Sequence, residues 1–304
     1  MLATGEPGGP QNKMGGFRNA IVRAVPSGFL RFLSRNQWRS KTLRRVCAWG
    51  ASWVKGQDSV ILRGAGHGLR FNVARSHSAF ILGNHEPEVQ ELLANVLRPG
   101  MTYYDVGANV GFFAVIAARL VGPSGHVVCF EPLPENAEQI EYNARLNGFT
   151  NVIVRCEALG GSNRTDVFNT SVEPTWGMLS TVGKPPEQAA GQISVNVRTL
   201  DSLCVPGGLP IPDVIQIDIE GAEAEFLEGA SATLTAKRPI LVIELHRTND
   251  AVTSVLDRFG YTYAVLGSSE SVHDVAWDAN IIAIPQERLD LLDLAKPVER
   301  TALR

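Results

Sequence analysis

Several apolar runs in this sequence end in acidic residues, at positions where a carboxylate could bind a ligand. In YYDVGANVGFF, residues 103–113, Asp105 ends a strand-like run and a glycine-rich turn follows. Glu131 ends the next such run, VVCFE. The later polar groups at the ends of apolar runs are Asp218 with Glu220, and Glu244 with His246. Ligands of open α/β sheets bind outside the carboxyl ends of the strands, so we expect these groups to lie around one site.

The turn after Asp105 is suited to a ligand with a cationic end. Gly107 and Gly111 allow the backbone to approach a ligand closely, and a helix that starts near Val110 would direct its free N–H groups at the same place. The glycine spacing is not GxGxxG, which argues against a dinucleotide. An acid at this position would repel a pyrophosphate but would attract the ammonium group of an amino acid.

The next two predicted strands supply groups for a nucleoside. Glu131 lies twenty residues after Gly111, where a carboxylate can accept hydrogen bonds from both hydroxyls of a ribose. The run NVIVRCEALG places Glu157 and Ala158 where a carboxylate or backbone groups could meet an adenine edge. An acid for the amino acid end, an acid for the ribose and a clamp for adenine together predict S-adenosylmethionine.

The elements that must position these residues alternate between strand and helix. From residue 103 onward, apolar strand-like runs such as HVVCFE, DVIQID and PILVIE are separated by helical patterns, which predicts a parallel sheet covered on both faces. The last two runs, YTYAVL and NIIAIP, have no helix between them, so we expect an antiparallel pair at that edge. Upstream, SVILRG and LRFNV read as a hairpin, and residues 86–97 as a helix.

The motifs in this order resemble the FkbM family of S-adenosylmethionine-dependent methyltransferases over about residues 60–285. They are YYDVGANVGFF, VCFEPLPEN, NVIVRCEALG, TLDSL, IQIDIEGAEAEFLEGA and LVIELH. The resemblance implies a Rossmann-like seven-strand α/β fold, mostly parallel with the last strand antiparallel, and cofactor contacts at Asp105, Gly107, Asn109 and Glu131. The family commonly methylates hydroxyl groups, often on sugars or polyketide-type natural products. The sequence departs from the family at GNHEP, where an aromatic residue often stands in place of His85.

The predicted cofactor site joins these residues to their neighbours in the motifs. Its members are Tyr104, Asp105, Gly107, Asn109, Gly111, Glu131, Pro132, Glu157, Ala158 and Asp218. Methyl transfer to a hydroxyl also needs a group that takes up a proton. Glu244 and His246 share one face of a strand, and we interpret His246 as the base, oriented by Asp218 or Glu220. Glu223 is interpreted as a solvated helix residue or an N-terminal cap.

A metal is the alternative use of these groups. Asp218, Glu244 and His246 could instead hold Mg²⁺ and bind a vicinal diol. Three candidate ligands on two strands do not make a ligand signature, so we expect no metal. Acceptor selection is assigned to residues 161–198, interpreted as a functional loop in which Trp176 stacks on a sugar or plugs the local core.

Composition and charge divide the chain. Residues 1–56 carry a net charge of +9 and the remainder −12. We expect a disordered tail over residues 1–16, a basic amphipathic helical extension over residues 17–56, the catalytic domain over residues 57–290 and a tail over residues 291–304. The basic extension is expected to pack on its own domain, with docking on an anionic membrane as the alternative.

Length, hydrophobic content and cysteine spacing limit the cellular location and the class of protein that we expect. At 304 residues and 44% hydrophobic, the chain can bury a sizeable core, and no apolar run reaches the ~18 residues of a membrane span. Four cysteines without a CxxC pair favour reduced thiols in a cytoplasmic protein. A nucleic-acid methyltransferase, a nicotinamide enzyme and a non-catalytic scaffold stay open as alternatives. The sequence lacks Asn-Pro-Pro-aromatic after the fourth strand, so nucleic acid is not the expected acceptor.

Overall fold

The computed structural model describes residues 56–74, 76–171, 177–180, 182, 189–275 and 278–295. The tail and the basic extension predicted for residues 1–55, Trp176 and the tail beyond residue 295 lie outside the described residues. Within the described part, no helix has the length and apolar character needed to cross a membrane.

A seven-stranded sheet forms the centre of the described chain. Its strands, in chain order, are β3 (Thr102–Val106), β4 (His126–Phe130), β5 (Val152–Arg155), β10 (Val214–Ile217), β11 (Ile240–Glu244), β12 (Tyr261–Val265) and β13 (Asn280–Pro285). The spatial order is β12-β13-β11-β10-β3-β4-β5. Strand β13 is antiparallel to both neighbours and the other pairs are parallel. This arrangement confirms the predicted Rossmann-like α/β fold, including its antiparallel edge pair.

Helices cover both faces because each presents an apolar stripe to the sheet. One face holds α1 (Ala79–Leu82), α2 (Pro87–Val96), α3 (Phe112–Val121) and α4 (Pro134–Leu146). The other holds α5 (Leu200–Leu203), α6 (Glu223–Glu228), α7 (Ser231–Ala236) and α8 (Asn249–Arg258). A 3₁₀ segment, Gln286–Ala295, follows β13. The inner strands are buried on both sides, as their continuous apolar sequences predict, whereas the edge strands β5 and β12 are partly exposed.

The upstream hairpin is shorter than its sequence suggests. Strands β1 (Ser59–Val60) and β2 (Arg70–Phe71) pair antiparallel over two residues each. The Asn143 side chain ties the chain after β2 to the cofactor turn: its Oδ1 accepts from the Asn72 N–H at 2.8 Å and its Nδ2 donates to the Val110 carbonyl at 2.9 Å. This buried contact holds the hairpin against α4 and the turn.

Described parts of residues 158–198 form a second sheet, which corrects the interpretation of residues 161–198 as a loop. This side sheet contains β6 (Ala158–Leu159), β7 (Arg164–Ser171), β8 (Gly177–Leu179) and β9 (Ala189–Arg198), in the order β6-β9-β7-β8. The expected single strand NVIVRCEAL is therefore two: β5 ends at Arg155, and Ala158 pairs with Val197 of β9 instead. The alternation of polar and apolar residues in segments such as ISVNV is the signal for these strands.

Candidate active site

A cleft lies at the carboxyl ends of the central strands, between the sheet and the side sheet. The predicted site residues that line it are Gly107, Asn109, Glu131, Pro132, Glu157, Ala158, Asp218 and Glu220. Phe168 and Leu179 of the side sheet complete one wall. The topology explains the convergence, since β3, β4 and β10 are adjacent and parallel and all end here.

The turn after β3 is shaped by two glycines with different roles. Gly107 has φ of 88°, and a Cβ atom there would lie 1.8 Å from the backbone oxygen of Asp218. Only glycine therefore fits between the turn and the end of β10. Gly111 caps α3 with φ of 84° and packs on Ile140, away from the cleft. Helix α3 begins at Phe112, two residues after the predicted start.

Glu131 is a buried carboxylate that braces the turn. It is 5% exposed, and it accepts hydrogen bonds from the backbone N–H groups of Asn109 and Leu133, each at 2.9 Å. Burial raises the pKa of its carboxyl to about 7, although these backbone donors oppose the rise. Because a carboxylate can accept about four hydrogen bonds, Glu131 keeps acceptor capacity for ligand hydroxyls in the cleft.

Asp105 is a buried acid with unused hydrogen-bonding capacity. It is 3% exposed, and among the described residues its Oδ2 has no hydrogen-bond partner. Burial, followed by the charges of Asp218 and Glu131, raises the pKa of its carboxyl to about 8. A backbone hydrogen bond from Ala114 of α3 opposes this rise. An orphaned buried acceptor of this kind fits a cationic ligand group such as an ammonium.

Glu157 and Ala158 lie at the opposite end of the cleft from Asp218. The Glu157 carboxylate is held by Arg155 at 2.9 Å and by Arg198 at 4.0 Å. Ala158 is 8% exposed and belongs to a small apolar cluster with Phe168. The side sheet thus gives this end of the cleft an apolar wall beside a polar rim, which suits a flat aromatic base.

The structure does not bring the side chain of Tyr104 to the cleft, in contrast to its prediction as a cofactor contact. The ring is fully buried in the core on the α5–α8 face, and its hydroxyl donates to the Pro210 carbonyl at 2.6 Å. Successive side chains of a strand point to opposite faces. Tyr104 therefore faces the core, and its neighbour Asp105 faces the other way.

The predicted catalytic residues come together around His246. Its side chain is 9% exposed, and its Nε2 lies 3.5 Å from Glu220 Oε2 and 3.7 Å from Asp218 Oδ1. Its Nδ1 lies 2.9 Å from Glu223 Oε1. Burial would lower the pKa of His246, but the hydrogen bond to Glu223 and the charges of Glu220 and Asp218 raise it to about 9. The imidazole is therefore cationic at neutral pH.

Asp218 and Glu244 form a carboxyl pair beside this histidine. Burial, the charges of Asp218 and other acids, and a hydrogen bond with Asp218 raise the pKa of Glu244 to about 10. Burial and the charge of Glu86 raise the pKa of Asp218 to about 7. One ligand atom from each of Asp218, Glu244 and His246 lies within 4.8 Å of the others, so the three could hold a metal ion.

Two residues upstream of the cofactor turn join the same cluster, and the interpretation of the sequence gave them no role. Glu86 begins α2 with φ of 39° and accepts from Asn280 Nδ2 at 3.3 Å. Burial would raise the pKa of Glu86, but the charge of His85, 2.9 Å away, lowers it. His85 packs against Phe80, Phe112 and Phe113, with ring centroids 4.7 to 5.7 Å apart. The sequence signal that could have identified them is a pair of titratable residues, His85 and Glu86, directly before a helix that begins with proline.

The interpretation of Glu223 as a solvated residue is wrong. Its side chain is fully buried, with 0% exposed, and its carboxylate receives the Gly221 N–H at 2.8 Å. The short segment between β10 and α6 has positive φ at Glu220 (51°) and Gly221 (100°), which turns the chain back over the site. Position along the helix alone could not reveal this burial.

The family model for the methyltransferase FkbM domain matches residues 105–265, more than half of the chain. The chain belongs to the FkbM methyltransferase family. The protein is accordingly an S-adenosylmethionine-dependent methyltransferase, as the motifs predict.

Two curated relatives and one solved structure resemble this FkbM methyltransferase. The hexuronic acid methyltransferase AglP of Haloferax volcanii is 24% identical over 192 residues, 62% of this chain and 75% of AglP. The 2-O-methyltransferase NoeI of Sinorhizobium fredii is 26% identical over 161 residues, 49% of this chain and 65% of NoeI. The crystal structure of methyltransferase FkbM from Methylobacillus flagellatus KT aligns with 68% of this chain and 55% of that chain, at 16% identity and a TM-score of 0.43.

Proposed function

We propose that this FkbM methyltransferase transfers the methyl group of S-adenosylmethionine to a hydroxyl group of an uncharged sugar or sugar-containing acceptor. The observation that carries the proposal is the layout of one cleft lined by Glu157, Glu131 and Asp218, which follow strands β5, β4 and β10 of the sheet. The single chemical contribution of S-adenosylmethionine is a methyl group on a cationic sulfur, ready for attack by an oxygen.

The residues of the cleft fit this cofactor along its length. Ala158, beside the apolar wall of the side sheet, would meet the adenine, and Glu131 would accept the ribose hydroxyls with its remaining lone pairs. Asp105 and the Gly107 turn would receive the amino acid end, since Asp105 Oδ2, which has no hydrogen-bond partner among the described residues, gains from a nearby ammonium. This assignment leaves the Asp218 and His246 end of the cluster for the acceptor.

The charge of that end favours an acceptor without a negative charge. Glu86, Glu220 and Glu244 lie with Asp218 in this region. Besides burial, the charges of Glu86 and Glu220 raise the pKa of Asp218, and these two acids together with Asp218 raise the pKa of Glu244. The carboxylate of a hexuronic acid, the substrate named for AglP, would add a further negative charge to this set. A hydroxyl on an uncharged sugar avoids that repulsion.

His246 is proposed to take up the hydroxyl proton, with Asp218 or Glu220 orienting it. The Nε2 atom lies within 3.7 Å of both carboxylates, and both of these residues line the cleft. A raised pKa makes the imidazole a stronger base once it has lost its proton, and it delays that loss until higher pH. The rate of methyl transfer should therefore rise as the pH approaches about 9.

The test of acceptor class is transfer of a labelled methyl group from S-adenosylmethionine to matched glycosides. Aryl glucosides, galactosides and fucosides are compared with aryl glucuronides and galacturonides at equal concentration. The proposal expects label in one or more neutral sugars and at least tenfold less in the corresponding uronide. Preferential labelling of the uronides would contradict the argument from charge, and labelling of nucleic acid in a parallel reaction would favour the alternative acceptor class.

A further inference from the structure

We infer that Glu223 is a positioning residue for methyl transfer, which fixes the ring of His246 so that Nε2 alone faces the acceptor hydroxyl. The inference rests on the proposed function, because it assigns a partner to the proposed base. It concerns a residue whose place along the sequence suggested only a helix cap.

The first support is the complete occupation of the Glu223 carboxylate. Its Oε1 accepts from the Gly221 N–H at 2.8 Å and lies 2.9 Å from His246 Nδ1. Its Oε2 accepts from the Thr248 hydroxyl at 2.8 Å. Three donors around a side chain with no exposed surface leave the carboxylate one orientation.

The second support is the backbone conformation at Gly221 and Arg247, which places the hydrogen-bond donors around the Glu223 carboxylate. Gly221, with φ of 100°, directs its N–H back toward Glu223, and Arg247, with φ of 64°, turns the chain between His246 and Thr248. Left-handed backbone at a residue other than glycine costs free energy and is retained where the surrounding structure fixes it. Both turns therefore serve the same contact between α6 and the chain that follows β11.

The third support is the tautomer that this contact selects. A carboxylate can only accept, so neutral His246 must keep its proton on Nδ1 to satisfy Glu223. The lone pair then lies on Nε2, on the side of Asp218 and Glu220. Without Glu223 the ring could flip or take the other tautomer, and the lone pair would no longer face the cleft.

The step that this arrangement serves balances in atoms and electrons. The acceptor oxygen forms a bond to the methyl carbon while the bond from that carbon to sulfur breaks, and the electron pair of the broken bond stays on sulfur. The hydroxyl proton passes to Nε2 of His246. The imidazolium that results is stabilised by its hydrogen bond to the Glu223 carboxylate.

Several charged groups besides Glu223 act on His246, so the test must separate their effects. They lie on the elements packed around the ring: Asp218 and Glu220 after β10, Glu244 at the end of β11, and Glu86 at the start of α2. Glu223 Oε1 lies at hydrogen-bond distance from Nδ1, whereas the Asp218 and Glu220 contacts are to Nε2. A change in the ring tautomer therefore reports on the Glu223 contact more directly than a change in the pKa alone.

The experiment is long-range ¹H–¹⁵N correlation NMR of the histidine rings in the full chain, titrated from pH 6 to pH 10. Wild-type His246 should titrate near pH 9 and, above that pH, show the tautomer protonated at Nδ1. Glu223→Gln should lower the pKa of His246 by one unit or more and remove the preference for that tautomer. Thr248→Val, which removes one hydrogen bond to Glu223, should lower the pKa of His246 and weaken its tautomer preference, each by a smaller amount than Glu223→Gln.

The matched control is Asp250→Asn, which removes the carboxylate next to the exposed His273 and should leave the His246 signals unchanged. S-adenosylhomocysteine affinity serves as the readout for the proposed function, and Glu223→Gln should keep it within twofold. With a neutral glycoside acceptor, kcat of Glu223→Gln should fall about 100-fold with little change in KM.

Two results would overturn the inference. One is a wild-type His246 that carries its proton on Nε2 at high pH. The other is a folded Glu223→Gln protein, still competent to bind S-adenosylhomocysteine, in which the His246 tautomer and kcat match those of the wild type. If the wild-type protein does not bind S-adenosylhomocysteine, the result would instead count against the proposed function.

Discussion

Replacement of Asp105 by asparagine should change the stability of the protein in a direction that depends on pH. The carboxyl has an ordinary pKa of 3.8 and a pKa of about 8 in the fold. Above pH 4 the unfolded chain has released this proton and the folded protein still holds it. Stability is therefore full below pH 4 and falls as the pH rises toward 8.

The size of this effect follows from the same two pKa values. Each unit of pKa difference corresponds to ~1.4 kcal/mol, so at pH 7 the carboxyl costs the folded protein about 4 kcal/mol. Asparagine does not titrate and removes that cost. Its amide places an N–H₂ group where Asp105 Oδ2 has no hydrogen-bond partner among the described residues, which costs about 1–3 kcal/mol at every pH.

The two terms together predict a change of sign. Asp105→Asn should be less stable than the wild type near pH 4 and more stable by about 1–3 kcal/mol at pH 7. Urea unfolding at pH 5, 6 and 7 measures the difference, which should grow by about 1.4 kcal/mol per pH unit in favour of the variant. The exposed control Asp278→Asn should stay within about 0.5 kcal/mol of the wild type. A stability difference for Asp105→Asn that does not vary with pH would refute the reasoning.

The remaining predictions concern the turn and the metal alternative. Gly107→Ala should destabilise the protein by ~3 kcal/mol or more in urea unfolding, because its Cβ would collide with the Asp218 backbone at positive φ. Gly148→Ala, with φ of 69° and no atom within 4 Å of its Cβ, should cost only about 1–2 kcal/mol, and equal losses would contradict this account. EDTA should leave methyl transfer unchanged, because the proposed step takes its base from His246 and its orienting carboxylates from Asp218 or Glu220 and needs no metal. Activity that EDTA abolishes and Mg²⁺ restores would assign Asp218, Glu244 and His246 to a metal.

The residues that the sequence predicted best are those whose role depends on the end of a strand. Glu131 and Asp218 follow apolar runs that can only be buried parallel strands, so their position at one edge of the sheet was determined by topology. The antiparallel edge pair was predictable for a similar reason, because the two last apolar runs have no helix between them. A local sequence pattern was enough to place a residue in the site wherever the residue directly follows a strand, because the strand order of the sheet brings those positions together.

Tertiary contacts account for what the sequence did not reveal. Tyr104 adjoins a motif residue, yet the strand period turns its side chain into the core. Glu223 occupies a position typical of a solvated helix start, and its burial depends on the end of β11, more than twenty residues away. The side sheet had an alternating pattern, but residues 161–198 were interpreted as a loop because of the length of the segment between two predicted strands.

The most direct test of the central claim is calorimetric titration of the purified full chain with S-adenosylhomocysteine. The account predicts micromolar binding to the wild type, a loss of tenfold or more for Glu131→Gln, and unchanged binding for Glu135→Gln, an exposed acid on the following helix. Absence of binding to the wild type, or equal binding by both variants, would contradict a cofactor held by Glu131 in this cleft.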